Sequence, residues 1–205
     1  MSLSSYLIPQ TIARFSSKYN QDIRVIEEAG RPKLLVNGSR QSGKYIEWLW
    51  KKAFAAFGPL SASSILVLGV GGGSVIHILR RLYPQALIVG VDIDPQIIEI
   101  GKKYFGLSEV PNLELIAADA KDYKITRRYD LVIVDLFIGR NIPDFVLERS
   151  FLGRLGPRVI INYLRELEYL DKSEKLKKTL KIVFREVRDF TIARNRFFLA
   201  LKDPM

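Results

Sequence analysis

Apolar runs and amphipathic segments alternate along the chain, and this alternation predicts its fold. Five apolar runs have the length of buried strands, namely 65–68, 87–91, 113–117, 131–135 and 157–163. Between them, apolar residues recur at helical spacing over 75–82, 95–104 and 144–155. Strands that alternate with helices in this way are typical of an α/β domain with a mostly parallel sheet and helices on both faces.

Further elements flank these alternating units. Residues 45–57 have one apolar helical face and precede a Gly-Pro pair, which predicts a helix that ends there. Near the other end, 171–180 predicts a solvated helix, and 184–190 and 196–202 predict two strands that pair as a hairpin. This hairpin would place an antiparallel C-terminal strand at one edge of the sheet.

The N-terminal residues predict a separate small unit. Apolar spacing over 5–17 predicts a short amphipathic helix. Residues 22–28 alternate with period two, and a turn leads to a return strand at 33–36, which together predict a β-ribbon. Such a ribbon is too small to be stable alone, so it must pack on the main domain or on another subunit. We therefore divide the chain into an N-terminal segment, 1–44, and a Rossmann-like domain, 45–205.

A glycine-rich turn follows the first strand of the central β-α-β unit. It contains Gly69, Gly71, Gly72 and Gly73, which lack a Cβ and so permit a tight turn and close approach of a ligand. The second strand of the unit ends at Asp92. This carboxylate lies nineteen residues after the last glycine, near the roughly 20 expected for a residue that binds ribose hydroxyls.

The spacing of the glycines separates two kinds of nucleotide site. A dinucleotide fingerprint, G-x-G-x-x-G, would need its third glycine at Ser74, whereas this chain has G-x-G-x-G. The pattern therefore favours an adenosyl ligand without a pyrophosphate over NAD. An α/β domain with such a turn and no ligand is the alternative, and the position of Asp92 makes it the weaker one.

Two further aspartates follow strands of the predicted sheet. In open α/β sheets, ligands bind beyond the carboxyl ends of the strands. Asp119 follows the third strand and could reach an adenine amino group or merely cap a turn. Asp135 closes an otherwise apolar strand, where a carboxylate costs stability unless something pairs with it. By contrast, Asp94 is expected to cap the helix that begins at Pro95.

The amino-acid composition excludes several kinds of functional site. At 205 residues and 48% apolar content, we expect one domain with a modest appendage and a sizeable core. The absence of cysteine excludes disulfides, thiolate zinc sites and a cysteine nucleophile, and a single histidine excludes a His-rich metal site. The start of the sequence lacks the pattern of a signal peptide, and no membrane segment is predicted, so a cytoplasmic location is expected.

The chain is basic, with a formal net charge of +10. Residues 1–139 carry 17 basic and 13 acidic side chains, and residues 140–205 carry 15 and 9, so the excess is +4 and +6 respectively. Such a field favours anionic partners, nucleic acid included. A solvated basic surface without a specific partner is the alternative for most of these side chains.

Several motifs together resemble the spermidine synthase family, the polyamine aminopropyltransferases, and its methyltransferase-like relatives. The resemblance runs from about residue 17 to 156. Residues 17–42, which include Gln41, resemble the family's N-terminal β segment, and YIEWL at 45–49 resembles its Tyr-His-Glu segment. The motifs VLGVGGG, VDID, AADA and YDLVIVD follow in the family's order and spacing.

The resemblance implies a class I S-adenosylmethionine-dependent methyltransferase fold and a ligand. That ligand would be S-adenosylmethionine or its decarboxylated form. Gln41 and Asp92 would hold the ribose, and Asp119 the adenine amino group. Ile93 and Ala120 would border the same site beside the glycines. Asp135 would be the catalytic residue on the acceptor side. The resemblance and the small ribbon both favour a homodimer.

Three departures fall on the family's catalytic positions. Its glycine loop, G-G-G-D-G-G, carries an acid where this chain has Gly72, and that acid is expected to bind the aminopropyl amine. The family histidine is Ile46 here, and the second acid of its Asp-Ser-Ser/Thr-Asp motif is Ile138.

These departures favour methyl transfer to an unidentified acceptor. A polyamine pocket needs several carboxylates because each ammonium loses water on entry. We therefore expect methyl transfer from S-adenosylmethionine to a non-polyamine small molecule, for which an anionic group would suit the charge of the chain. Aminopropyl transfer and a non-catalytic adenosyl- or RNA-binding module are the alternatives.

Overall fold

A computed structural model describes residues 8–139 and 141–202 and contains a small N-terminal sheet in front of a larger one. The small sheet is antiparallel, in the order β1-β2-β3-β4. Its strands are β1 (Gln10–Phe15), β2 (Ile23–Glu28), β3 (Arg31–Val36) and β4 (Ser39–Arg40). Alternate residues of β2 and β3 are buried, and they pack with Ile97 and Ile100 of a helix of the main domain. The predicted ribbon therefore packs on the main domain.

The helix predicted over 5–17 is wrong in its described part. Residues 5–7 lie outside the described residues, and most of the remainder forms β1, which pairs antiparallel with β2. The pairing supplies hydrogen-bond partners to an edge of β2 that would otherwise be open. A contact that is distant in sequence thus overrides the local helical spacing.

The larger sheet has seven strands in the order β10-β11-β9-β8-β5-β6-β7. These strands are β5 (Ser64–Leu68), β6 (Leu87–Asp92), β7 (Leu113–Ala117), β8 (Leu131–Val134), β9 (Arg158–Leu164), β10 (Glu186–Ile192) and β11 (Asn195–Leu201). The five from β5 to β9 are parallel, whereas β11 is antiparallel to both β9 and β10. The predicted mostly parallel sheet with an antiparallel C-terminal edge is confirmed.

Helices cover both faces of this sheet. They are α1 (Lys44–Phe57), α2 (Ser74–Leu82), α3 (Pro95–Tyr104), α4 (Arg149–Gly153) and α5 (Leu170–Val183). Ile65 and Val67 of β5 pack in a core with α1 and α2, while Leu66 and Leu68 pack in another with α4 and α5. Because both faces are covered, β5 is apolar along almost its whole length.

The helix predicted over 144–155 is broken. A 3₁₀ turn, Asp144–Leu147, is followed by the short α4, and Glu148 between them has an extended backbone with φ −83° and ψ 136°. None of the helices within 8–139 and 141–202 is long and apolar enough to cross a membrane.

The strand order places a crevice at the carboxyl ends of β5 and its neighbours. From β5 the chain proceeds through β6 to β7 on one side, and then returns to β8 on the other side. Ligands of open α/β sheets bind at such a reversal of strand order. The glycine turn after β5, Asp92 at the end of β6 and Asp135 after β8 all lie at this edge.

Candidate functional site

The glycine turn packs directly against the end of β8. Gly69 has φ +94°, and a Cβ at this position would lie 2.1 Å from the backbone oxygen of Asp135. Gly71 also has a left-handed backbone, and a Cβ there would lie 3.1 Å from the backbone oxygen of Gln41. Only glycine therefore lets the turn lie between the N-terminal segment and β8.

The two remaining glycines of the turn face other parts of the protein. A Cβ on Gly72 would lie 2.5 Å from the hydroxyl oxygen of Ser42, and one on Gly73 would lie 2.5 Å from the side chain of Leu107. Of the four glycines predicted to bind the cofactor, Gly69 and Gly71 border the cavity described below. Gly72 and Gly73 instead permit close packing around it.

Asp92 closes the turn from the side of β6. Its Oδ2 accepts hydrogen bonds from the backbone N–H groups of Val70, at 2.9 Å, and Gly71, at 3.2 Å, while its Oδ1 accepts one from Asp94. Burial raises the pKa of Asp92, and these three donors act in the opposite direction. These backbone N–H groups of the glycine turn thus contact Asp92 in this structure.

Asp94 performs the capping role predicted for it. Its Oδ1 accepts from the backbone N–H of Gln96 in the first turn of α3. Its Oδ2 accepts from the Ser17 hydroxyl and the Asn20 amide. The fully buried carboxylate therefore holds the N-terminal segment to the main domain.

A cavity of about 110 Å³ lies between the glycine turn and the N-terminal sheet. Eight of the ten predicted site residues line it, namely Gln41, Gly69, Gly71, Asp92, Ile93, Asp119, Ala120 and Asp135. Apolar side chains, including Val36 and Ile97, complete the wall. Asp119 also accepts a hydrogen bond from the Lys121 N–H at 2.8 Å, so it does cap a turn.

Asp135 is anchored by two side chains of the main domain. Its Oδ1 accepts from the Asn162 amide at 2.8 Å, and its Oδ2 accepts from the Trp50 indole N–H at 3.1 Å. Burial raises the pKa of Asp135 to about 6, although both donors favour the ionised form. The result is an oriented carboxylate that can exchange a proton near neutral pH.

A larger cavity of about 570 Å³ lies on the other side of Asp135. It is lined by Gly38, Ser39, Arg40, Gln41, Tyr45, Ile46, Leu49, Trp50, Asp135, Phe137, Asn162, Leu164, Glu166, Arg194 and Asn195. Gln41, Asp135 and Phe137 border both cavities. The carboxylate therefore stands where the two cavities meet.

The charges of the larger cavity are few. Its acidic lining residues are Asp135 and Glu166, among the residues that the structure describes, and Glu166 contacts Arg194 at 3.2 Å. Arg40 lies exposed on the same wall. The indole of Trp48 stacks on the ring of Tyr45 at this side, with 5.9 Å between the centroids.

Gln41 connects two walls of the site. Its amide donates a hydrogen bond to the backbone oxygen of Gly139, at 3.0 Å. Gln41 follows β4, and Gly139 belongs to the loop after β8. This hydrogen bond therefore joins the N-terminal segment to the loop that follows Asp135.

Trp50, Asn162 and Asn195 were missed as parts of the site. The Asn195 amide donates to the Asn162 side chain at 2.9 Å, which leaves the Asn162 amide directed at Asp135. The sequence carried one usable signal, because an amide side chain interrupts the apolar run of β9. Trp50 lies on the apolar face of α1, and its buried ring packs in the core.

Comparisons with known sequences agree with this architecture. A sequence family described as a methyltransferase domain matches residues 65–149. The polyamine aminopropyltransferase of Vibrio vulnificus is 37% identical over 94 residues, which cover 43% of this chain and 31% of the relative. The eEF1A lysine and N-terminal methyltransferase of Homo sapiens is 28% identical over 106 residues, or 45% of this chain and 15% of the relative. The matches thus span about a third or less of these relatives.

Solved structures share the fold over more of the chain. Human methyltransferase-like protein 13 in complex with SAH matches with a TM-score of 0.61 and 26% identity, over 70% of this chain and 73% of that one. Spermidine synthase from Thermotoga maritima matches with a TM-score of 0.71 over 95% of this chain and 73% of that one. Its 15% identity shows a shared fold alone.

The sheet, the crevice and the matched domain define an α/β protein of the class I methyltransferase fold, as the sequence predicted. Within that class, the chain is similar in sequence to both polyamine aminopropyltransferases and methyltransferases, and it shares its fold with a spermidine synthase. The fold and the resemblance are confirmed, whereas the roles of the individual site residues stay predictions.

Proposed function

We propose that the protein binds S-adenosylmethionine at the glycine turn and catalyses methyl transfer to a non-polyamine acceptor in the larger cavity. The observation that carries this proposal is the position of Asp135 between two cavities, one beside the glycine turn and one on the side of α1. A group-transfer enzyme needs a donor and an acceptor on either side of one reacting point.

The lining of the smaller cavity suits an adenosyl compound. Asp92 and Asp119 offer carboxylate oxygens to hydroxyl and amino donors, and Ile93 and Ala120 offer an apolar wall. The volume of about 110 Å³ is below the roughly 300–1,000 Å³ that is usual for ligand sites. We therefore propose that entry of the ligand widens this cavity. The hydrogen bond from Gln41 to Gly139, which joins two walls of the site, would break as they separate.

Asp135 would act on the acceptor. When bound, the adenosyl sulfonium supplies an electrophilic methyl group on a good leaving group. The carboxylate of Asp135 would take the proton of the attacking acceptor, and its pKa of about 6 leaves it ionised at neutral pH. Trp50 and Asn162 would hold the carboxylate in one orientation through the contacts described above.

The charges of the larger cavity support an acceptor that is not a polyamine. Each ammonium that enters must exchange water for a carboxylate or another strong acceptor. Asp135 is the one lining acid without an ion pair among the described residues, since Glu166 contacts Arg194. Gly72 also stands where the resemblance expects a further acid.

Aminopropyl transfer is the alternative function, and the sequence identities favour it. The relative from Vibrio vulnificus is a polyamine aminopropyltransferase and is 37% identical over its 94 matched residues, against 28% for the human methyltransferase. Such an enzyme would use decarboxylated S-adenosylmethionine and would bind its amine with an acid set different from that of the family.

Calorimetric titration of the purified protein with S-adenosylmethionine and with its decarboxylated form tests the proposal. We expect tighter binding of the intact compound, because Gly72 supplies no carboxylate to repel the carboxylate of the ligand. Tighter binding of the decarboxylated form would overturn methyl transfer in favour of aminopropyl transfer. If neither compound binds below millimolar concentration, a non-catalytic RNA-binding module is the better interpretation.

The homodimer and the cytoplasmic location stay predictions as well. The N-terminal sheet leaves Ile12 of its edge strand 47% exposed, which offers apolar surface to a second copy. Light scattering of the full chain measures its molar mass directly. A mass near 23.4 kDa would mean a monomer and would contradict the dimer.

A further inference from the structure

A third concave surface lies at the opposite edge of the large sheet from Asp135. Its walls are the residues that precede β8 and β9, together with Lys202, which follows β11. The cleft has a volume of about 330 Å³. It is therefore separate from the site at the carboxyl ends of the strands.

The lining of this cleft, which we call the basic cleft, carries charge of one sign. Its basic residues are Arg127, Arg128, Arg154 and Lys202, and no Asp or Glu is among its described lining residues. Arg127 contacts Glu114 at 3.4 Å, but both side chains are about half exposed, so this pair offsets little of the charge.

Backbone oxygens and aromatic rings hold two of the cations in place. Arg154 donates to the carbonyls of Ala120, Lys121 and Tyr123. The Lys202 ammonium donates to the carbonyls of Gly153 and Leu155. A carbonyl oxygen orients such a side chain without bringing a carboxylate into the cleft.

Electrostatic repulsion between the basic side chains makes the empty cleft unfavourable. Burial lowers the pKa of Lys202, and the positive charge of Arg128 lowers it further. Arg128 is exposed and forms no ion pair with any residue that the structure describes. An anion that binds between these groups would relieve their mutual repulsion, so the cleft is prepared for a negative ligand.

We propose that the basic cleft binds phosphate groups. Phosphate oxygens accept bidentate hydrogen bonds from guanidinium groups, and the exposed Arg127 and Arg128 supply two such groups here. The phosphates could belong to a nucleic-acid backbone or to a small phosphorylated molecule. Because the cleft lies at the amino ends of the parallel strands, this function does not depend on the adenosyl site.

Fluorescence anisotropy of a labelled oligouridine of about 12 nucleotides tests the proposal on the full chain. Arg128→Ala is the test variant, and Lys178→Ala, which removes the same charge from the exposed face of α5, is its matched control. We expect Arg128→Ala to weaken binding about fivefold. It should also reduce the slope of log affinity against log salt by about 0.7, the value for one lost phosphate contact. Lys178→Ala should change the affinity much less.

Competition with inorganic phosphate separates the two sources of the ligand. If inorganic phosphate displaces the RNA only at phosphate concentrations far above the dissociation constant of the RNA, the ligand is a polymer backbone. Thermal stabilisation by inorganic phosphate that is lost in Arg128→Ala, without measurable RNA binding, would identify a small phosphorylated molecule. Equal effects of Arg128→Ala and Lys178→Ala would overturn the proposal, as would a wild-type protein that binds neither probe.

Discussion

Ser42 occupies the space that any side chain at position 72 would need. A Cβ on Gly72 would lie 2.5 Å from the hydroxyl oxygen of Ser42, which is 2% exposed and accepts a hydrogen bond from the backbone N–H of Leu34. The backbone of Gly72 is not left-handed, so space alone restricts this position. The missing acid of the glycine turn is thus coupled to a residue of the N-terminal segment.

Gly72→Asp should destabilise the protein through a clash with Ser42. We expect the single variant to lose about 1–3 kcal/mol because the new side chain overpacks the site. In the double variant Ser42→Gly/Gly72→Asp most of this clash is removed, and binding should shift from S-adenosylmethionine towards its decarboxylated form. Thermal unfolding and calorimetry measure the two effects.

Ser42→Gly alone is the control for this pair. It leaves the Leu34 N–H without its acceptor, which costs about 1–3 kcal/mol by itself. The free energies of unfolding of the four proteins then give the coupling between the two positions. A Gly72→Asp protein as stable as the wild type would contradict the packing described here.

The reaction should lose rate as Asp135 is protonated. Its pKa is raised from the usual range to about 6, so the fraction in the ionised form falls as the pH drops through 6. A base must be ionised to accept a proton, and kcat/KM should therefore rise with pH to a plateau above about 7. Methyl transfer measured from pH 5 to 8, once an acceptor is found, checks this expectation. Asp135→Asn should be almost inactive throughout, and full activity in that variant would contradict the role of base.

The main domain could be predicted from sequence because its strands are buried on both faces. A run such as that of β8, in which all four residues are buried, needs no periodicity to be recognised. The edge strand β1 gave no such signal, since exposed residues interrupt its partly buried ones. Its conformation depends on pairing with β2, a contact that local spacing cannot indicate.

The site was predictable where the chain places polar residues at the ends of strands. Asp92 and Asp135 stand out because each follows a buried apolar run. The partners of Asp135 could not be found in this way, because Trp50 and Asn162 lie 85 and 27 residues away in sequence. Trp50 and Asn162 become partners of Asp135 because α1 and β9 pack beside β8, which is a property of the folded protein.

Gly69→Ala should be among the most damaging substitutions in the turn. A Cβ would lie 2.1 Å from the backbone oxygen of Asp135, and the φ of +94° is unfavourable for alanine. Together these effects should cost about 3 kcal/mol or more in the free energy of unfolding. Gly106→Ala is the control, because φ is +68° there while no atom lies within 4 Å of the added Cβ. Similar losses in both variants would mean that backbone strain, and not the contact with Asp135, restricts position 69.

Asp92→Ala should abolish binding of the adenosyl ligand. The substitution removes the carboxylate proposed to hold the ribose and leaves the N–H groups of Val70 and Gly71 without their acceptor. Some loss of stability is therefore expected as well, so calorimetry must be done below the unfolding temperature of the variant. Lys121→Ala, at an exposed residue that follows the lining residue Ala120 in sequence, should bind normally. Unchanged affinity in Asp92→Ala would refute the ribose assignment.

Trp50→Phe should move the acid limb of the pH profile to higher pH. The indole N–H donates to Asp135 Oδ2 at 3.1 Å and favours the ionised carboxylate, so its loss should raise the pKa of Asp135 above about 6. Phenylalanine keeps an aromatic ring in the core, where Trp50 contacts Phe197 with 5.0 Å between centroids. Trp48→Phe, on the exposed side of the same helix, is the matched control and should leave the profile in place. If the two variants give the same profile, the hydrogen bond from Trp50 does not set the protonation of Asp135.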